Sequence, residues 1–324
     1  MISSFGLLRI NFQMRVHCFE RRFIASPPLV PVPLPSRMET HLWYIVPDEV
    51  KSTTLLDKYL DLLSLNEKEN VFRMRGDQLQ KRALLTRALV RTTIARYQIN
   101  PQVTPRSLKF RKNIYGKPEV EWQHDDEWHP PPLHFNISHS SSLIACGVTM
   151  NVPIGIDVEE KSRKTKNNVL SFAQRYFSPR EMEFLASISD PEVQRQEFIK
   201  LWTLKEAYVK ALGRGFSAVP FKTFTIQFGA ATRRGLGPCD FDSEASEIVV
   251  DFLDDSKILT SNWQFALIEL DGSHFAAICV KKDNSIGAGK ENAPMRLTVW
   301  KTIPLVEDEC VSGTDAVTTS GSLT

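Results

Sequence analysis

In the run Ile154-Gly155-Ile156-Asp157-Val158-Glu159 the side chains alternate in character. A strand here puts Ile154, Ile156 and Val158 on one face and leaves Asp157 and Glu159 together on the other, beside Gly155. Two carboxylates two residues apart on one strand repel each other unless positive charge stands between them. A hard divalent cation with oxygen ligands meets that need; a solvated strand end is the plainer alternative. A third acid changes the balance. On a helix predicted over Pro191–Leu212, Ile199, Trp202, Glu206 and Val209 follow the i, i+3, i+7, i+10 series of a single face. Glu206 thus interrupts an apolar stripe, where an unpaired charge is costly. Lys210, one turn further on, offers an ordinary i,i+4 partner. That pair does not account for a carboxylate beside Trp202, and a third metal ligand accounts for it better.

The segment Asn136-Ile137-Ser138-His139-Ser140 ends a predicted strand with small hydrogen-bonding groups and one imidazole. Such a strand end can hold phosphate oxygens, although the same residues can form an ordinary turn around a structural histidine. A serine hydrolase built on Ser138 and His139 is the sharper rival. It lacks a G-x-S-x-G elbow and an evident orienting acid. No Walker-type loop or dinucleotide fingerprint occurs.

Several elements must position these groups. Trp43, Ile45 and Val46 suggest an opening strand, and Asp77 introduces a helix over residues 78–97 with Leu85, Ala88, Leu89, Thr92 and Ala95 along one stripe. Asn113, Tyr115, Gly116, Lys117 and Pro118 carry turn chemistry. Strand-like runs follow at 133–138, 143–149 and 153–159. Ser178-Pro179-Arg180-Glu181 matches a capping box, and Asp190-Pro191 starts the helix that Gly213 should stop. Runs at 223–228, 247–253, Trp263–Leu270 and His274–Lys281 read as strands, the last two joined by an Asp271-Gly272 hairpin turn. Helices and strands without regular βαβ alternation predict an α+β fold.

Composition sets the bounds. The chain has 324 residues, 42% hydrophobic, enough for one large core or two modest ones. Forty basic against 38 acidic residues give a net charge of +2, which argues against a general nucleic-acid binder. No apolar run reaches the ~18 residues a membrane span requires, so a soluble chain is expected. Five scattered cysteines form no C-x-x-C pair and suggest a reducing compartment. Residues 1–37 hold five arginines and a single acid, followed by a Pro-rich stretch; this is the composition of an organelle-import sequence. Mitochondria are the first expectation and plastids the second, with a cytosolic protein the outcome if translation starts at Met38. The folded region is expected over about residues 39–283, and 284–324 is expected as a flexible tail.

Three blocks, FNISHS (135–140), IGIDVEE (154–160) and KLWTLKEAYVKALGRG (200–215), resemble the 4′-phosphopantetheinyl transferases in order and spacing. The match is to the double-length class that serves peptide synthetases, fatty-acid synthases and aminoadipate reductases. The resemblance implies two similar α/β halves, residues 38–150 and 151–283, with the active site in the cleft between them and coenzyme A bound there. It implies Mg²⁺ held by Asp157, Glu159 and Glu206, and coenzyme A phosphates contacted by Asn136, Ser138 and His139. The loop carrying Lys112, Tyr115, Gly116 and Lys117 would embrace the nucleotide. Arg75 and Arg82 would grip its 3′-phosphate, with Lys81 or Arg91 as other candidates. Lys210 would stabilise charge on the pyrophosphate, and Glu206 is the candidate base for the serine of an acyl carrier protein. Such enzymes act in fatty-acid biosynthesis or lysine metabolism, and a monomer is expected.

Overall fold

The computed structural model describes residues 29–37, 39–97, 103–122, 130–164, 168–215, 218–228, 248–252, 263–282 and 295–319. In chain order, β1 (Glu39–Ile45) precedes three helices, α1 (Thr53–Leu62), α2 (Leu65–Phe72) and α3 (Asp77–Arg96). A small hairpin of β2 (Lys109–Lys112) and β3 (Pro118–Glu121) leads to β4 (Leu133–His139), β5 (Ile144–Met150) and β6 (Ile154–Glu160). Then come α4 (Val169–Tyr176), α5 (Pro179–Ser187) and α6 (Pro191–Leu212), followed by β7 (Phe224–Phe228), β8 (Ile248–Phe252), β9 (Trp263–Leu270) and β10 (His274–Lys281). The last elements are β11 (Arg296–Ile303), β12 (Glu307–Cys310) and β13 (Val317–Thr319). The fold is α+β, as the mixed sequence pattern requires.

Strand alternation sorts the apolar residues into layers. The two larger sheets run β12-β11-β1-β5-β4 and β13-β9-β10-β6, while β2-β3 and β7-β8 form separate two-stranded sheets. From β1, Trp43 and Ile45 pack with Leu85, Ala88 and Leu89 of α3. The neighbouring Leu42 and Tyr44 point the other way, into a core shared with Ile154, Ile156, Val158, Ala276 and Ile278 of the second sheet. The outer face of that sheet, with Phe275, Ala277 and Cys279, packs on Phe198, Leu201 and Tyr208 of α6. The order is therefore helices, sheet, sheet, helices. Each large side chain buried in these layers contributes ~1.5–3 kcal/mol relative to exposure.

The helix that carries Glu206 and Lys210 has well-fixed ends. Asp190 accepts hydrogen bonds from the amides of Glu192 (2.8 Å) and Val193 (3.0 Å), and Pro191 follows it. Gly213 stops the helix at φ 65°, where a side chain would be strained. The capping box of α5 forms as predicted, with Ser178 and Glu181 bonding each other's amides.

Two stretches differ from expectation. The composition of residues 284–324 predicts a flexible tail, yet 296–319 supply strands to both sheets. β11 lies between β1 and β12, parallel to β1, and Trp300 stacks on Trp43 with ring centroids 5.0 Å apart. Arg96 pairs with Asp308 at 2.7 Å, and the Tyr59 hydroxyl donates to the Pro304 carbonyl at 2.6 Å. The tail reads as weakly patterned because its partners lie at the opposite end of the chain. At the other terminus, residues 1–28 lie outside the described residues. Leu29 and Val32 pack on the first core, and the Val32 amide bonds the Arg96 carbonyl at 3.0 Å.

Candidate active site

β6 and α6 touch because Gly155 has no side chain. A Cβ there would lie 2.0 Å from the Ala207 carbonyl oxygen and 2.2 Å from the Ala211 amide nitrogen. With the backbones this close, the face of β6 opposite Ile156 looks onto the helix, and that face carries Asp157 and Glu159. Asp157 is 5% exposed. Its Oδ1 accepts from Lys210 Nζ at 2.7 Å and from Ser138 Oγ at 2.9 Å. Its Oδ2 is buried and has no hydrogen-bond partner among the described residues. Lys210 thus pairs with Asp157 rather than forming the i,i+4 salt bridge with Glu206 that helical spacing offers.

Glu159 and Glu206 feel the same negative centre. Burial first, then the charge of Asp157, pushes the Glu159 carboxyl up to about 7 against the opposing pull of Arg163. Burial and Asp157 likewise raise Glu206, against Lys210 and Arg163. Arg163 forms an ion pair with Glu159 and lies 5.5 Å from the ring centroid of Trp202. Among the described residues no trio of acid, histidine or cysteine side chains is closed around one point. Even so, an orphaned buried carboxylate oxygen beside two acids with raised proton affinity is a donor set that fits a hard divalent cation.

The strand β4 meets β6 without a backbone ladder between them. Asn136 Oδ1 accepts the Ile156 amide at 2.8 Å, and Ser138 Oγ accepts the Val158 amide at 3.2 Å. Side chains of one sheet edge therefore satisfy the N–H groups of the other, as buried edges require. Asn136 and Ser138, expected at coenzyme A phosphates, spend these atoms on the seam between the halves. Ser138 also receives Lys210 Nζ at 3.1 Å. His139 is exposed; desolvation of its inner edge, then the Lys210 and Arg82 cations, lower its pKa. Ser138 and His139 project to opposite faces of β4 and make no dyad, so the hydrolase geometry is absent at this pair.

The remaining basic candidates divide in two. Arg75, Lys112 and Tyr115 are exposed, and Gly116 sits at φ 90° at the hairpin turn. Arg82 Nη1 lies 3.4 Å from the Ser140 carbonyl oxygen. Arg91, by contrast, is 2% exposed, bonds the Pro105 and Leu108 carbonyls, and pairs with Glu67 at 2.5 Å, so it is structural. Lys117, which the resemblance assigns to the nucleotide, points elsewhere. Its ammonium donates to the carbonyls of Ile154 (2.7 Å) and Lys210 (2.8 Å). Asn113 Nδ2 adds a bond to the Gly213 carbonyl at 3.1 Å. Together they latch the hairpin turn of the first half onto the C-terminal end of α6, where a cation suits the helix dipole.

Sequence reasoning missed Arg163 and the pair Lys205–Glu181. All three ammonium hydrogens of Lys205 are used, on Glu181 Oε1 (2.6 Å), Glu181 Oε2 (2.8 Å) and the Phe224 carbonyl (2.7 Å). The one available signal was the place of Lys205 on the helix: Phe198, Leu201, Lys205 and Tyr208 follow the i, i+3, i+7, i+10 series of one face, so an ammonium among apolar residues had to find a buried partner.

Residues 153–271 match the family model described as the 4′-phosphopantetheinyl transferase superfamily. Residues 51–150 match that of the 4′-phosphopantetheinyl transferase N-terminal region. The chain is 33% identical over 172 residues to a 4′-phosphopantetheinyl transferase of Bacillus subtilis, covering 53% of this chain and 69% of that protein. It is 34% identical over 179 residues to the HetI 4′-phosphopantetheinyl transferase of a Nostoc strain, covering 55% and 70%. Against the human L-aminoadipate-semialdehyde dehydrogenase-phosphopantetheinyl transferase the identity is 24% over 232 residues, covering 70% and 69%.

Proposed function

The chain belongs to the 4′-phosphopantetheinyl transferase family, and on that premise we propose that it transfers the phosphopantetheine arm of coenzyme A to a serine of an apo-acyl carrier protein. The serine oxygen attacks the β-phosphorus, the P–O bond to the adenosine side breaks, and adenosine 3′,5′-bisphosphate leaves. The single observation that carries the reading is Asp157 at the seam of the two halves, with one oxygen paired and the other buried and without a partner among the described residues.

Asp157, Glu159 and Glu206 would hold Mg²⁺. Bound there, the ion supplies positive charge to the pyrophosphate oxygens. Lys210 sets a second cation at the same place, where a fixed charge stabilises growing negative charge without reorganisation. Glu206 takes the serine proton, as the carboxylate that α6 sets beside the acids of β6. His139, Arg82 and Arg75 face the coenzyme's phosphates, and the turn at Tyr115 and Gly116 covers the nucleotide.

The test is an intact-mass measurement. Incubated with coenzyme A, Mg²⁺ and this protein, an apo-carrier should gain one phosphopantetheine mass. An unchanged carrier would make the chain a silent binding module and sink the reading.

Residues 1–37 are proposed to direct mitochondrial import, and a reporter fused to them would test this; a diffuse cytosolic signal would reject it. The proposed carriers are those of fatty-acid synthesis or lysine metabolism, and the proposed working form is a monomer, checked by sedimentation.

A further inference from the structure

Outside the acidic centre, a half-buried hydrogen-bond cluster around one buried imidazole crosses between the two sheets. His274 opens β10 and is 3% exposed. Its Nε2 lies 3.0 Å from both Ser140 Oγ and Ser142 Oγ, in the turn between β4 and β5. Its Nδ1 lies 2.8 Å from Ser273 Oγ. The Ser142 hydroxyl donates to Glu160 Oε1 at 2.6 Å, and the Ser141 hydroxyl donates to the same oxygen. A hydroxyl that gives its only hydrogen to a carboxylate can only accept from an imidazole. Nε2 therefore carries the ring hydrogen, and Nδ1 accepts from Ser273.

The turn is held from both halves. Ser140 Oγ accepts the amides of Ser142 (3.3 Å) and Leu143 (3.1 Å), while its carbonyl receives Arg82 Nη1 from α3 at 3.4 Å. His274 and Glu160 belong to the second sheet. His139 is the residue immediately before this turn, on the strand that makes the seam with β6.

We propose that His274 is a positioning residue: by its Nε2–H bonds to Ser140 and Ser142 it fixes the 140–142 turn across the cleft and so sets the place of His139 against the phosphates of coenzyme A. This rests on the transferase reading. The chemistry is neutral, since no proton is transferred and the imidazole keeps its hydrogen throughout.

Three variants test it. His274→Ala should raise KM for coenzyme A by about tenfold, the worth of a well-made polar contact, with kcat and KM for the carrier little changed. His274→Gln, which retains an N–H donor, should recover most of the loss, and Ser142→Ala should resemble His274→Ala. Hydrogen exchange at the Ser142 and Leu143 amides should quicken in His274→Ala while β5 stays protected. An unchanged KM for coenzyme A, or an equal loss in every kinetic constant that tracks only a lower melting temperature, would overturn the proposal. If the parent protein transfers nothing, the transferase reading fails. Coenzyme A binding by calorimetry and the exchange measurement then still decide the clasp, equal affinity and equal exchange in both proteins refuting it.

Discussion

The Lys210 ammonium lies 2.7 Å from Asp157 Oδ1 and 3.1 Å from Ser138 Oγ, so one side chain of α6 reaches both the strand that carries the acids and the strand of the facing sheet. A cation in that position does two things. It balances a buried carboxylate, and in the proposed reaction it stabilises the charge that the pyrophosphate gains. Lys210→Met should therefore cost far more in turnover than in substrate binding. A fall in kcat of about a hundredfold or more is expected, measured at saturating coenzyme A; a change confined to KM would show that the ammonium serves only in binding.

The close passage of β6 over α6 sets the second prediction. Gly155→Ala would drive a Cβ into the backbone of Ala207 and Ala211, neither of which can give way like a flexible side chain. The strand must move off the helix, taking Asp157 away from Lys210. Strong overpacking of this kind costs ~1–3 kcal/mol or more, and a urea melt should show it together with loss of transfer.

The Lys205–Glu181 pair is fully buried, at 0% and 1% side-chain exposure. Lys205→Met leaves Glu181 among apolar rings, with the amides of Ile226 and Ser178 as its remaining donors among the described residues. Breaking one side of such a pair costs ~3–5 kcal/mol. Adding Glu181→Gln should restore part of that loss, because the stranded charge is gone. A double variant no more stable than the single one would show that packing, not charge, is the cause.

Lys117 gives a pH signature. Burial lowers its pKa from 10.5 to about 8, with Cys279 and Glu119 opposing. Between these two values the unfolded chain binds more protons at this position than the folded chain, so the contribution of Lys117 to stability rises with pH from about 8 to 10.5. The neutral amine keeps two hydrogens, enough for the Ile154 and Lys210 carbonyls. Measured against Lys117→Met, the parent protein should gain relative stability across that window, up to ~3 kcal/mol. Tyrosine titrations are common to both proteins and cancel. A flat difference would contradict the burial of this ammonium.

The parts of the site that follow local rules are legible in the amino-acid sequence itself. Alternation along 154–159 places Asp157 and Glu159 on one face, and helical spacing places Glu206 in the apolar stripe of α6. Caps at Ser178 and Asp190, the stop at Gly213 and the Asp271-Gly272 turn are contacts between near neighbours, and the order of residues states them directly. The rest depends on partners brought together by packing. Ser138 bonds Asp157 because two sheet edges meet. Lys117 faces carbonyls because a hairpin folds over a helix end, and Arg163 reaches Glu159 from beyond the end of the strand, where no periodicity applies. β11 illustrates the same limit: its short apolar run gains meaning only beside Trp43 and Leu42.

The claim on which the account turns is that Asp157 anchors a divalent ion in the transfer reaction. The most direct measurement is the magnesium dependence of carrier modification by the parent protein and by Asp157→Ala, with the far-ultraviolet circular dichroism of both proteins compared. The account predicts magnesium-dependent transfer by the parent and no product from the folded variant even at saturating magnesium. A folded Asp157→Ala variant that still modifies the carrier would contradict it.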